Sequence, residues 1–440
     1  MKVLQISIIG GYGGMGSLFA SVFKEAGHKV VISGPNTDKG RTKAQDLGVD
    51  FIQDNKKAVS GSDVVIITVP METTSTVISE IAPQVKPGGL LMDFTSVKQE
   101  PCRLMAEKSK KEVEVVGCHP VFGPRVRSIA GQAFILCPIR GKKWFSWLMD
   151  LLEERKARVF TATPEDHDHT MAVIQGLTHY SYLAFGKTLA KLDFNVKESR
   201  NYSSPVYDMM LDMVGRILGQ NPRLYAEIQI ENPEVTGMHQ LFLESAEELK
   251  SIVEKGDRES FAKYMRSAAK NFGEVEEALG RSDKAINSLM AELELLKNSL
   301  GKDICLQHIY SGIRHFGVLV DLTPGEVVLE DQGKKTTLKL SNLRILRGEE
   351  ETEFLKEKFG VVKRDYSFIY PEGVDEAFLT EIIGRDEGVL SCEIKDVYTG
   401  KQVGEGSKSV CFTVEFLNSN INEKDEEIKS YFKKFGGKPR

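Results

Sequence analysis

The stretch VLQISIIGGYGGMGSLFA, residues 3–20, sets an apolar run against a glycine cluster and then a second apolar run. The first run, VLQISII, is far shorter than the roughly 20 residues a membrane span needs. It has no cleavage-site pattern, so it reads as a first buried strand rather than a signal peptide. Gly11, Gly13 and Gly16 make a GxGxxG directly after that strand and before a helix-like segment, GSLFASVFKEAG. Each glycine there has a physical reason: Gly11 allows a tight turn, Gly13 lets the backbone approach a pyrophosphate, and Gly16 lets helix and strand pack closely. The helix N-terminus adds N–H donors and a partial positive charge. A glycine-rich turn without a ligand is the plainer alternative, and the strand-turn-helix context weighs against it.

Working outward, apolar runs alternate with amphipathic stretches: HKVVISG (28–34), KGRTKAQDLG (39–48), SDVVIITVP (62–70), LLMDFTS (90–96) and EVVGCHP (114–120). This β-α-β rhythm predicts an α/β fold, a Rossmann-type doubly wound parallel sheet over residues 1–162. Unbroken β-branched runs such as Val64 to Val69 suit strands buried on both faces. The candidate cofactor cradle is Gly11, Tyr12, Gly13, Gly14, Met15 and Gly16, joined at later strand ends by Ser33, Asn36, Val69 and Pro70. The second strand ends Ile32, Ser33, Gly34 without the carboxylate that would hold the ribose hydroxyls of NAD. Asn36, Thr37, Lys39 and Arg41 follow and can accommodate a 2′-phosphate, so NADP is expected ahead of NAD. Asp38 reaching a ribose is the alternative.

The rhythm changes at TPED, where Thr163 can cap a helix and Pro164 can occupy its first turn. From there to residue 300 the text is helical, as in SSPVYDMMLDMVGRILGQ, and predicts an all-helical domain able to dimerise. FGVLVDL, EVVLED and KKTTLKLSN, separated by TPG and DQG, predict a small antiparallel β-unit over 301–347. Residues 348–440 read as charged helix, strand RDYSFIYP, helix VDEAFLTEIIG, strands VLSCEIKDVY and SVCFTVEFLN, and a closing charged helix, an α+β order.

Composition bounds the rest. With 440 residues, 28% charged, 41% hydrophobic, 39 Gly and 15 Pro, the chain excludes disorder and collagen-like repeats and has length for several domains. A net charge of -5 gives no whole-chain footprint for nucleic acid or a membrane surface. Six cysteines without a CxxC pair argue against a disulfide framework or a structural zinc site and fit a reducing, cytoplasmic setting. His167, Asp168, His169 and His179 do not place their imidazoles on one helical face, so no metal is expected.

Three further segments put polar residues at strand or helix ends: DFTSVK (93–98), GCHPVFGP (117–124) and SSPVYDMMLDMVGR (203–216). With GYGGMG in this order, the chain resembles prephenate dehydrogenase over residues 4–275. The resemblance implies that prephenate gives a hydride to a nicotinamide and loses its ring carboxylate as CO2, forming 4-hydroxyphenylpyruvate. It puts the catalytic histidine at His119, where a neutral imidazole accepts a hydrogen bond from the ring hydroxyl. It puts Ser96 and Lys98 beside nicotinamide and substrate, the Ser96 hydroxyl within reach of His119. It also puts Arg216 on the ring carboxylate, and His167 and His179 at the lip of the cleft. His179 shares a face with Ala172, Gly176 and Gly186, so packing is an equal reading of it. Asp208 stands where some relatives carry an arginine, and Arg125 and Arg127 after HPVFGP can supply the missing charge or be solvated loop residues. Asp208 keeps arogenate dehydrogenase as the alternative; a non-catalytic, NADP-responsive or RNA-binding regulator is a more distant one. The implied assembly is a homodimer.

RDYSFIYPEGV (364–374) and DVYTGKQVGEGSKSVCFTVEF (396–416) resemble the ferredoxin-like anticodon-binding domain of the phenylalanyl-tRNA synthetase β subunit. The resemblance makes Tyr398, Lys401, Lys408 and Lys434 candidate tRNA contacts, but NEKDEEIKSYFKKF (422–435) intersperses acids among its cations. Regulatory, structural and tRNA-binding roles all remain open for this domain, since a fold does not carry its function with it.

Overall fold

The computed structural model describes residues 3–126, 128–323, 325–386, 388–400, 402–419 and 421–440. Two compact units divide the chain, Met1–Val275 and Glu276–Arg440. In the first, β1 (Gln5–Ile9), α1 (Gly14–Glu25), β2 (Lys29–Ser33), α2 (Thr37–Leu47), β3 (Asp50–Phe51), α3 (Asn55–Val59), β4 (Val64–Ile67) and α4 (Met71–Ile81) come first. Then follow β5 (Leu90–Asp93), α5 (Gln99–Lys108), β6 (Glu114–Pro120), β7 (Ala133–Arg140), α6 (Lys143–Glu154) and β8 (Arg158–Thr161). The eight strands form one sheet in the order β3-β2-β1-β4-β5-β6-β7-β8.

Successive strand residues face opposite sides, so unbroken apolar runs need cover on both. Ile6, Ile8, Ile32, Ile66 and Met92 pack against Phe19 and Phe23 of α1 and Trp144 and Leu148 of α6. Ile9, Val31, Val65, Ile67 and Leu91 pack on the other side against Ile78 and Ile81 of α4 and Leu104 and Met105 of α5. The rhythm holds through β6, every pair to that point being parallel. β7 then runs antiparallel to β6, and β8 parallel to β7. A parallel crossover takes about a dozen or more residues, usually with a helix; the described residues between β6 and β7 contain no helix.

Thr163 caps α7 (Pro164–Met171), its hydroxyl accepting from Asp166 N at 3.0 Å. The helix passes through one turn of π-helix, Ala172–Leu177, directly into α8 (Thr178–Lys191). There follow α9 (Val196–Ser199), α10 (Pro205–Leu218), α11 (Pro222–Glu231), α12 (Val235–Glu254) and α13 (Arg258–Phe272). A Cβ at Gly176 would lie 2.6 Å from Val235 Cγ2, so glycine there is what lets α12 approach the π turn.

In the second unit, Leu296 of α14 (Val275–Asn298) packs with Ile304, Leu306, Leu319, Val327 and Leu329. This helix, placed with the helical segment by the sequence reading, belongs to the core of a sheet. That sheet is antiparallel, ordered β12-β11-β10-β9-β13 from β9 (Asp303–His308), β10 (Arg314–Leu322), β11 (Glu326–Asp331), β12 (Lys334–Lys339) and β13 (Leu343–Ile345). Then come α15 (Glu349–Phe359), β14 (Val361–Pro371), α16 (Glu376–Gly384), β15 (Val389–Tyr398), β16 (Ser407–Leu417), α17 (Ile421–Lys434) and β17 (Lys438–Pro439). The order is β15-β16-β14-β17, and Phe368, Tyr370, Phe412 and Phe416 pack with Leu379, Ile383, Ile428 and Phe432 of the two helices. Among the described residues no helix is long and apolar enough to cross a membrane.

Candidate active site

At the end of β1 the chain turns at Gly10, whose φ of +81° favours glycine, and Gly10 N and Gly11 N both donate to Ser33 O. A Cβ on Gly16 would lie 2.6 Å from Gly11 Cα, so α1 sits closer to the turn than any side chain permits. Gly13, the N-cap of α1, supplies no side-chain cap, and the first turn carries no acid. Those N–H groups and the positive end of the helix fit a pyrophosphate. A Cβ on Gly14 would lie 2.7 Å from Pro124 Cγ, which brings the HPVFGP loop down onto the glycine turn. Between them runs a cleft of about 1290 Å³ lined by Tyr12, Gly13, Gly14, Met15, Val69, Pro70, Ser96 and Phe122.

Other expected cofactor residues are used internally. Ser33 is fully buried, its hydroxyl donating to Asn55 Oδ1 at 2.7 Å, and therefore does not face the cleft. Asn36 spends its side chain on the N-terminus of α2, accepting from Lys39 N at 2.9 Å, while its own N–H donates to the Tyr12 hydroxyl at 3.1 Å. Gln53, Asp54, Asn55 and Lys56, which sequence reading missed, line the cleft instead. Their one signal is a polar run after the second βα unit.

Beside Pro120, the last residue of β6, a buried chain of side chains begins. His119 Nδ1 lies 2.8 Å from His167 Nε2, and His167 Nδ1 lies 2.7 Å from Asp168 Oδ1. Asp168 also accepts from Lys98 N at 2.7 Å and Gln99 N at 2.9 Å, capping α5 from another helix. A carboxylate bound by these donors only accepts, so His167 carries its proton on Nδ1 and accepts on Nε2. His119 must then donate from Nδ1, leaving Nε2 unprotonated as an acceptor, towards which the Gln175 amide donates at 3.4 Å. Burial, then the facing His167 and the Lys98 charge, hold His119 well below its ordinary pKa. Burial lowers His167 too, against the pull of Asp168. Both rings are neutral at pH 7.

Lys98, expected beside the nicotinamide, is taken out of the cleft. It is 0% exposed, and its ammonium donates to Asp93, to Thr95 Oγ1 at 3.2 Å and to Cys118 O at 3.1 Å. Burial alone would lower its pKa, yet Asp93 keeps it above the ordinary value and charged. By gripping the carbonyl before His119 it positions the end of β6. Ser96 lines the cleft but does not bond His119, whose Nδ1 is taken by His167. Gln175 Nε2, on the π turn and missed by sequence reading, lies 3.4 Å from His119 Nε2. Its only sequence signal is a polar side chain four residues before His179.

His167 is buried behind His119 and not at the lip. The His179 ring packs tilted against Tyr225 with centroids 4.5 Å apart, and its Nδ1 and Gln175 Oε1 are buried without partners among the described residues. Burial raises the Tyr225 hydroxyl pKa, and the Arg216 charge opposes it. Arg216 is exposed on α10 and has no ion pair among the described residues. Two polar pairs, His119 with Gln175 and His179 with Tyr225, thus lie in the helical part of the first unit. Asp208 is held by Arg200 at 3.1 Å and by the Ser203 hydroxyl at 2.8 Å. Arg125 is exposed beside Pro124; Arg127 and Lys401 lie outside the described residues.

A doubly wound sheet with an uncapped glycine-turn helix, and an unprotonated imidazole acceptor beside the same cleft, define an NAD(P)-dependent oxidoreductase. Two family models match in register: prephenate dehydrogenase, nucleotide-binding domain, over residues 19–161, and prephenate dehydrogenase, dimerization domain, over 163–267. A third, the ferredoxin-fold anticodon binding domain, matches 358–437. A probable arogenate/prephenate dehydrogenase of Methanocaldococcus jannaschii is 38% identical over 99% of this chain and 98% of its own. A T-protein of Haemophilus influenzae is 31% identical over 62% of this chain and 68% of its own. The fold of the first unit is also that of a crystal structure of prephenate dehydrogenase from A. aeolicus with hydroxyphenyl propionate and NAD+. That likeness has a TM-score of 0.53 and 21% identity and covers 62% of this chain and 99% of the other. The chain belongs to the prephenate dehydrogenase family.

Proposed function

We propose that the chain oxidises and decarboxylates prephenate to 4-hydroxyphenylpyruvate, with His119 as the acceptor of the ring-hydroxyl proton's hydrogen bond. The observation that carries this is the locked tautomer: Asp168 and His167 leave His119 Nε2 with a lone pair. The chemistry supplied by bound NAD(P)+ is hydride acceptance. As hydride leaves the carbinol carbon, the substrate O–H bond weakens towards a carbonyl, and a neutral imidazole favours that change by accepting its hydrogen bond. The ring carboxylate then leaves as CO2 and the ring becomes aromatic. Arg216, an exposed cation without an ion pair among the described residues, is suited to the ring carboxylate, and the partnerless Gln175 Oε1 and His179 Nδ1 to other polar groups of the substrate. Ser96 is suited to a contact at the nicotinamide end.

Prephenate is favoured over arogenate because the charge of Asp208, the acid that kept the alternative open, is already engaged by Arg200 and Ser203. NADP is favoured over NAD by the absence of a carboxylate at the end of β2 and by Lys39 and Arg41, exposed and without ion pairs among the described residues. Exposed Val206, Met213 and Leu218 on α10 support a second copy as partner. Six free cysteines, five of them buried, support a reducing cytoplasmic setting. The test is absorbance of reduced nicotinamide with prephenate and arogenate crossed with NAD and NADP. Turnover is expected with prephenate and highest with NADP; turnover of arogenate alone would overturn the substrate assignment, and a preference for NAD the cofactor assignment.

A further inference from the structure

The three matched family models leave residues 268–357 uncovered, and every residue but Lys358 that lines a separate cavity of the second unit lies there. The cavity has a volume of about 640 Å³ and sits between the sheet face of β10–β12 and α15. Small-molecule sites span about 300–1,000 Å³ and combine apolar walls with a few oriented polar groups. This cavity has both. Phe316 and Phe359 meet edge to face at 5.0 Å, and the Phe354 ring carries the Arg314 guanidinium at 5.0 Å. Lys358 lies over the Phe316 ring at 5.3 Å.

The cations here are oriented. Arg314 is braced by Glu357 at 2.5 Å and Lys358 by Asp331 at 2.7 Å, each bond using one of several N–H donors. Lys334, also at the cavity, has no carboxylate partner among the described residues. Three cations against two carboxylates leave one positive charge and several free donors over an aromatic floor.

The backbone supplies an independent observation. Asp331 pairs with Lys334 across a two-residue turn, and Gln332 and Gly333 have φ of +50° and +79°. Such a turn favours Asn, Asp or Gly at its first position, and a non-glycine residue at positive φ is uncommon. Glutamine is held in that conformation where its side chain borders the cavity.

We infer that this cavity binds a small anion carrying a planar aromatic ring, the ring on Phe316 and Phe354 and the anionic group on Arg314, Lys334 and Lys358. An aromatic carboxylate and a mononucleotide share that chemistry. Hydrogen–deuterium exchange of the full chain with 3-phenylpropionate, with AMP and with uncharged 3-phenylpropionamide tests it and separates the two sources. Peptides covering 314–318, 331–336 and 354–358 are expected to gain protection with at least one anion at millimolar concentration, and the responding anion names the source. The Lys334→Gln chain should need about tenfold more of that anion for the same protection. No protection with either anion overturns the inference. Equal protection by the uncharged amide, or an unchanged response in Lys334→Gln, overturns its anionic character.

Discussion

Because the Asp168 carboxylate accepts from Lys98 N, Gln99 N and His167 Nδ1, it dictates which nitrogen of a histidine two bonds away is unprotonated. His167 is a positioning residue in this arrangement, and its loss should appear in kcat rather than in substrate binding. In His167→Phe the His119 Nδ1–H has no acceptor and nothing fixes the tautomer, so kcat should fall by about 10²-fold or more with KM changed little. His167→Gln should retain most of kcat, since its amide oxygen can accept from His119 while its NH2 donates to Asp168. Equal losses in the two variants would count against tautomer control. His119 was legible in the sequence because a histidine before proline at a strand end sits within a familiar motif. His167 and Lys98 were legible as members of the neighbourhood but not in direction. Nothing local says that one ring turns inward to back His119, or that the ammonium folds under the sheet onto Asp93. Asp168 drew notice only as a possible metal ligand, because its actual partners are backbone N–H groups some seventy residues earlier.

The helix running from α7 to α8 carries both ends of this arrangement, and its π turn sets where Gln175 points. That turn is packed against α12 through Gly176, where a Cβ would meet Val235 Cγ2 at 2.6 Å. Gly176→Ala should therefore overpack the contact and cost about 1–3 kcal/mol. A lowered Tm together with a lowered kcat is the expected outcome, because the π turn moves with the helix; an unchanged Tm would show that the contact yields without strain. Most elements were readable: unbroken β-branched runs gave the central strands, and Thr163–Pro164 gave the start of α7. The π turn was not, since one extra residue in a turn leaves no mark on hydrophobic spacing across AVIQGL. The reversal of β7 was not either, because direction is set by a connection whose loop sequence reads alike for both. Leu296 shows a third limit. Amphipathic spacing identifies the helix of Val275–Asn298 but is silent on which core its apolar face enters.

Buried, neutral histidines make the first unit sensitive to acid. His119 and His167 are at most 2% exposed, and burial holds both below the ordinary value of 6.5. Burial lowers His28, His179 and His239 in the same unit as well, and His315 in the second. Well above pH 6.5 neither the folded nor the unfolded chain protonates these rings, so they contribute no pH dependence there. As pH falls through 6.5 the unfolded chain takes up protons that the folded chain refuses, and stability drops. Each fully buried ring contributes a slope of up to about 1.4 kcal/mol per pH unit until its own folded pKa is reached. Trp144 and Trp147, the two tryptophans of the chain, both lie in the first unit, so fluorescence reports its unfolding. Urea midpoints followed this way should hold steady from about pH 8 to 7 and fall steadily from about pH 6.5 to 5.5. The same rings predict that the acid limb of kcat lies below 6.5, because His119 keeps its Nε2 unprotonated until well under its ordinary value. Activity should thus outlast the onset of destabilisation as pH is lowered. A kcat profile breaking above 6.5 would mean that His119 is not the titrating group held neutral by burial.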